Sequence, residues 1–340
     1  MQDFYNFFSD GAILLKIFLS IISSFIGIYL SRLIFYRIGF IDNPNIRSNH
    51  INPTALGAGI IIIPLILLIS FNLGFIWEKE FLLSLSILFI ISILDDIKNI
   101  NPLVRLLFHF VSISIFVASY LYTFLADTVA NAIYINIIFS FIAIVSIVWF
   151  INAFNFMDGI DGITSIEIFF ICLSIIFFQF YLEKEINILA LSILITITVF
   201  FYFNWSPATI FLGDSGSIPL GFLMISLLTD LSLKGYWLAS IILPLYYILD
   251  TSLTLFKRIY NKKKFWKAHS EHYYQLALKN GFSHIKVNYF VILINIGLFF
   301  LSFFSLLYKN NITFLILGIA WCSIFLHYFS NKQASNEKNS

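Results

Sequence analysis

Asn152-Ala153-Phe154-Asn155-Phe156-Met157-Asp158-Gly159-Ile160-Asp161-Gly162 stands between two long apolar runs, 130–151 and 163–182. About 20 apolar residues in helical form cross the hydrocarbon core of a bilayer. An unpaired charge at the centre of a bilayer costs several kcal/mol, so polar clusters at membrane depth mark function. Two amides and two carboxylates among glycines therefore read as a site at the end of membrane helices. The fold expected from this stretch is all-α and polytopic.

Composition agrees. The chain has 340 residues, 60% hydrophobic and only 11% charged, with 41 Phe. A soluble domain carries about 25% charged residues, so an ordinary soluble globule is excluded. The net charge of +2 gives no reason to expect a nucleic-acid partner. Cys172 and Cys322 both fall inside apolar runs, so no disulfide framework is expected. The first run, Gly11 to Tyr36, is longer than a signal-peptide core and is read as a retained helix. Apolar runs between polar breaks give ten to eleven spans: 12–34, 55–74, 81–95, 104–125, 130–151, 163–182, 186–203, 215–231, 236–256, 287–308 and 311–329. They form one transmembrane catalytic domain, 1–330, followed by a polar tail, 331–340, expected to be disordered.

Basic residues orient the chain. Connections 31–54, 96–103, 152–162, 204–214 and 257–286, with the tail and with Arg105 just after 96–103, hold fifteen of the 20 Lys and Arg, from Arg32 to Lys338. The opposite connections hold Lys79, Lys184, Lys234 and Lys309. The first set is expected to be cytoplasmic, with the N-terminus outside. The acidic motifs were not used in that assignment, yet they fall on the same side.

Asp95-Asp96 closes the third span, where the helix dipole opposes two carboxylates, so a counter-ion is needed: Lys98, Arg105 or a divalent metal. The alternative is a solvated acidic pair. Asn155, Asp158 and Asp161 offer oxygen-only ligands of the kind Mg²⁺ takes, unless Asp161 merely caps the next helix. Phe211-Leu212-Gly213-Asp214-Ser215-Gly216-Ser217 opens the eighth span as an anion nest, with Asp214 bridging through metal to a phosphate or acting as a helix cap. Asp250 is read as readily as an ion-pair partner of Lys257 or Arg258 as a catalytic acid. In 257–286, His269 and His272 at i,i+3 share an expected helical face and suit phosphate oxygens better than zinc, while Lys262-Lys263-Lys264 suits anionic headgroups. His109 and His284 have no comparable context.

Together these segments resemble the polyprenyl-phosphate N-acetylhexosamine-1-phosphate transferases of glycosyltransferase family 4. The matching stretches are Leu94–Asn99, Asn152–Gly162, Phe211–Ser217 and Phe265–Gln275, with Asp42 to Thr54 around Arg47 and His50. The last loop is closest in style to the branch that initiates O-antigen and capsule synthesis. The peptidoglycan translocases, which transfer phospho-MurNAc-pentapeptide, instead carry three consecutive histidines. Two departures stand out: Ala55-Leu56 in place of Pro-Arg before the glycine pair, and Ser270-Glu271 in place of Arg after the first histidine.

The resemblance implies transfer of an N-acetylhexosamine-1-phosphate from a UDP-sugar to undecaprenyl phosphate, in the bacterial inner membrane. It implies Mg²⁺, with Mn²⁺ as substitute, on Asp214 and Asn155. It implies catalytic roles for Asp95, Asp96, Asp158 and Asp161, and substrate contacts from Arg47, His50, Asn152, Ser215, His269 and His272. A homodimer is compatible with it. The competing class is a cation-coupled transporter, whose acids would lie near the midplane on two related repeats, and no repeat is seen here.

Overall fold

The computed structural model describes residues 10–44, 52–128, 133–264 and 269–331. Arg47 and His50, the Phe265-Trp266-Lys267 stretch and nearly all of the expected disordered tail lie outside the described residues.

Each expected span except 236–256 centres on a single helix. In chain order these are α1 (Gly11–Ile38), α2 (Gly59–Asn72), α3 (Lys79–Lys98), α4 (Pro102–Thr128), α5 (Ile133–Met157), α6 (Ile163–Glu183), α7 (Ile188–Asn204) and α8 (Asp214–Leu231). They continue with α9 (Trp237–Ile242), α10 (Leu245–Tyr260), α11 (Tyr273–Lys279), α12 (His284–Leu307) and α13 (Thr313–Ser330). Among the described residues, seven helices are long and apolar enough to cross a membrane, the last turns of α8 through α9 counting as one with it. The protein is an all-α polytopic membrane protein.

The span count needs correction in two places. Helices α2 and α7 have 14 and 17 residues, and so reach about 21 and 26 Å at 1.5 Å per residue. Both are short of a hydrocarbon core of about 30 Å. The expected ninth span, 236–256, is not one helix. A π-turn at Ser232–Tyr236, with Gly235 at φ 94°, leads into α9, and the chain breaks again at Leu243-Pro244 before α10. Proline has no N–H to continue a helix, which fixes the second break.

Helix α8 is the central post: 72% of its span is buried, against 17% for α1 at the periphery. It packs on α2, α3, α5 and α6. The closest approach is glycine on glycine: a Cβ on Gly59, at the start of α2, would lie 2.1 Å from the backbone nitrogen of Gly216. Small residues permit such backbone contact between membrane helices. Two short strands, β1 (Ile41–Asp42) and β2 (Thr54–Ala55), pair antiparallel beside this crossing, and Ala55 bridges to Ile210. They bring the 31–54 connection to the end of the bundle where α8 begins.

Candidate active site

A cavity of about 440 Å³ opens at that end. Its wall includes Asp42, Asp96, Asn155, Asp158, Asp161, Asp214, Gln275 and His284. These come from the connections 31–54, 96–103, 152–162, 204–214 and 257–286. The convergence expected from the sequence is therefore present.

Asp95 and Asp96 are adjacent on α3 and point apart, as helical neighbours must. Asp96 accepts hydrogen bonds from the backbone N–H of Asp214 at 2.8 Å and of Ser215 at 3.0 Å. A carboxylate from α3 thus caps the N-terminus of α8, where the positive end of the dipole favours it. This corrects two expectations. The anion nest at 211–217 is filled by the protein's own Asp96, and Asp214 does not cap its own helix; Gly213, at φ 75°, precedes it as the capping residue. Ser215, expected to touch substrate, is fully buried beneath this cap.

Asp95 turns the other way. It accepts the backbone N–H of Ile100 at 2.6 Å and pairs with Nη1 of Arg105. The same Nη1 lies 2.6 Å from Oδ2 of Asp214. Of the counter-ions considered for the acidic pair, Arg105 fills the position. On the facing wall, the Ser217 hydroxyl donates to Oδ1 of Asn155 at 2.6 Å, joining α8 to α5.

Asp158 lies at the cavity wall beyond the end of α5. Burial pushes its carboxyl up to about 6, against the hydrogen bond from Thr164, and nearby Asp96 adds to the rise. Its proton is held more tightly in the folded protein than in the unfolded chain. Its contribution to stability is therefore fully present below pH ~4 and is lost as pH rises through about 6. Asp158→Asn is expected to raise the melting temperature of the EDTA-treated protein at pH 8, by an amount corresponding to roughly 1–3 kcal/mol, and to change it little near pH 4. Differential scanning fluorimetry in detergent at both pH values checks this; equal shifts at both would contradict it.

Asp161 is not a helix cap. Gly162, at φ 84°, starts α6, and Asp161 reaches sideways to the backbone N–H of Ala208 at 3.2 Å and to Nδ1 of His284 at 3.3 Å. Burial raises its carboxyl, but the His284 contact and these donors outweigh that and hold it below the ordinary range. His284 thus has a place in the site that the sequence reading did not give it.

The histidine loop departs furthest from expectation. His269 and His272 do not share a helical face. His272 is the capping residue of α11, and its ring stacks on His269 at 5.0 Å. His272 is 3% exposed, with Nδ1 at 3.2 Å from Asp250. Asp250 also accepts the backbone N–H of Tyr273 at 2.9 Å and of Tyr274 at 3.2 Å. It is therefore the anchor of α11 and not a partner of Lys257 or Arg258; Arg258 pairs with Glu271 at 2.9 Å. Burial, with His272 and Arg258 close by, lowers His269 to about 4, so at pH 7 it offers an N–H but no charge. Neither histidine lines the cavity; Gln275 from the same loop does. Tyr274 clamps the loop onto the motif at 152–162 by donating to the carbonyl of Phe156 at 2.9 Å.

Asn152 also lies off the cavity. Its amide donates to the carbonyl of Val148 at 2.7 Å and lies 3.2 Å from Nδ1 of the fully buried His109, so it braces α5 against α4.

Residues 80–232 match the sequence profile of glycosyl transferase family 4. That stretch, which holds every acid of the site except Asp42, is similar to this family. Among curated relatives, it is 33% identical over 149 residues to the "Probable undecaprenyl-phosphate N-acetylglucosaminyl 1-phosphate transferase" of Bacillus subtilis (strain 168), covering 41% of each chain. It is 32% identical over 138 residues to the phospho-N-acetylmuramoyl-pentapeptide-transferase of Streptococcus pyogenes serotype M18, covering 38% of this chain and 39% of that one. The chain thus spans about two-fifths of the length of the curated relatives it matches. The family segment supplies Asp95, Asp96, Asn155, Asp158, Asp161 and Asp214, whereas the histidine loop and His284 lie beyond it.

Proposed function

We propose that this protein is a glycosyl transferase family 4 enzyme that transfers an N-acetylhexosamine-1-phosphate from a UDP-sugar to undecaprenyl phosphate and releases UMP. The observation that carries the proposal is the cavity itself: five connections bring carboxylates, amides and one imidazole to a single pocket at one end of a membrane bundle. A transporter would place such acids near the midplane. In the proposed reaction an oxygen of the lipid phosphate forms a bond to the β-phosphorus of the donor. The bond from that phosphorus to the bridging oxygen breaks, and the oxygen leaves with UMP. The Lys and Arg distribution supports a cytoplasmic site in a bacterial inner membrane. The style of the last loop supports the initiating step of O-antigen or related envelope polysaccharide synthesis.

Two anionic phosphates must meet here. Mg²⁺, when bound, offsets their repulsion and the charge that develops on the leaving phosphate. The carboxylate and amide oxygens of Asp214 and Asn155 on the wall fit that ion. Among the described residues no three acids or histidines are grouped as ligands. That suits an ion which keeps most of its waters and takes one or two protein oxygens beside substrate phosphates. Asp214 and Asn155 are the residues that would hold it, with Mn²⁺ as a substitute.

Asp95 is assigned to positioning. Its oxygens are engaged by Ile100 and Arg105. A lipid phosphate, with a second pKa near 6, is already mostly ionised at pH 7. Asp95→Asn is expected to lower the rate by a factor independent of pH; recovery of the rate at high pH would instead assign it as a base. The activity is tested by incubating the purified protein with undecaprenyl phosphate, Mg²⁺ and a panel of UDP-sugars. UMP release is expected with at least one UDP-N-acetylhexosamine, and UMP release with none would overturn the proposal.

A further inference from the structure

We infer that Arg105 is a built-in competitor for the divalent cation, sharing Asp214 with it and retreating to Asp95 when the cation binds. This rests on the metal assignment of the proposed function. One nitrogen, Nη1, contacts Oδ2 of Asp214 at 2.6 Å and Oδ2 of Asp95 at the same time. Among the described residues no other Lys or Arg makes an ion pair with Asp95, Asp96, Asp158 or Asp214. The single guanidinium is therefore shared between two carboxylates.

A divalent ion held by Asp214 would share that carboxylate with the guanidinium, and two cations on one carboxylate repel. Binding of the ion to Asp214 must accordingly weaken the Arg105 contact, and by linkage Arg105 must weaken the ion. Asp95 keeps the displaced guanidinium in place. It lies ten residues before Arg105, across the α3–α4 turn, and is itself held by the backbone N–H of Ile100. The adjacent acids thus divide the work: Asp96 fixes the start of α8, and Asp95 tethers the competing cation. The long, partly exposed Arg105 side chain has the reach to move between the two.

The test is Mn²⁺ binding to the full-length protein in nanodiscs without substrate, read by electron paramagnetic resonance of the free ion. Arg105→Gln is expected to bind Mn²⁺ roughly tenfold more tightly than the wild type or better, because a unit charge within a few ångströms is removed. Arg105→Lys, which keeps the charge on a smaller head with fewer donors, is expected to bind about two- to threefold more tightly and carries the test should the Gln variant not fold. Asp214→Asn is expected to weaken binding strongly. Unchanged or weaker binding in the Arg105 variants, alongside weakened binding in Asp214→Asn, would overturn the competition while leaving the metal assignment standing. Wild-type affinity in Asp214→Asn would overturn the metal assignment and the competition with it.

Discussion

Asp214→Ala is expected to reduce UMP release by on the order of 1,000-fold or more while leaving the protein folded. The expectation of a retained fold comes from the way α8 begins. Its start is fixed by backbone N–H groups of residues 214 and 215 donating to Asp96, and alanine keeps both donors. Arg105 loses one of its two carboxylates but keeps Asp95. What disappears is the carboxylate that faces the cavity and would hold Mg²⁺. A melting temperature within a few degrees of the wild type, combined with loss of UMP release, checks the prediction. Activity near the wild-type level would remove Asp214 from the metal site.

Gly59→Ala is expected to act through assembly of the site instead. A Cβ there would lie 2.1 Å from Gly216 N, 2.2 Å from Gly216 Cα and 2.3 Å from Ser215 C. All three are backbone atoms, so no rotamer change relieves the clash, and α2 and α8 must separate. Overpacking of a core commonly costs about 1–3 kcal/mol, and a rigid backbone contact belongs at or above the top of that range. The separation also pulls Ser215 and Asp214 from Asp96, so activity and folded yield are expected to fall together. Gly11→Ala is the matched control, since nothing lies within 4 Å of the added carbon. Folded yield by fluorescence-detected size exclusion checks the pair; a Gly59→Ala protein with wild-type yield and activity would contradict the crossing described here.

The sequence made the helical membrane architecture and the position of the site legible because both rest on local signals. Apolar runs mark helices, polar breaks mark their ends, and basic residues sort those ends by side. Each acid of the Asn152–Gly162 motif could be placed at a helix end on these grounds. Their partners could not. Asp96 meets Asp214 and Ser215 across more than a hundred residues, and Asp250 meets His272 and Tyr273 from another helix. No periodicity encodes such pairings. His284 follows the capping residue Ser283, and only the packing of α12 brings it to Asp161. The two histidines of the basic loop were spaced as if on one helix face, yet α11 starts only at Tyr273 because Asp250 caps it from outside. The break at Leu243-Pro244 lies inside an apolar run, so the run alone reads as one span.

The substitution of Ser270-Glu271 for a basic residue also gains a physical reason. Glu271 accepts Arg258 at 2.9 Å and Lys263 at 3.0 Å, so part of the positive charge in the loop is spent within the loop. The cavity wall supplied by this connection is Gln275 and His284. Asp161 and His284, 3.3 Å apart, line the cavity together with Gln275.

The central claim is phosphosugar transfer, and the fate of the donor's two phosphorus atoms tests it most directly. Purified protein would be incubated with undecaprenyl phosphate, Mg²⁺ and a UDP-N-acetylhexosamine it accepts, labelled with ³²P at either the α or the β position. The account predicts that β-label moves into the lipid extract together with the sugar, while α-label stays in the aqueous phase as UMP. Sugar entering the lipid without the β-label, or β-label released as UDP, would contradict it.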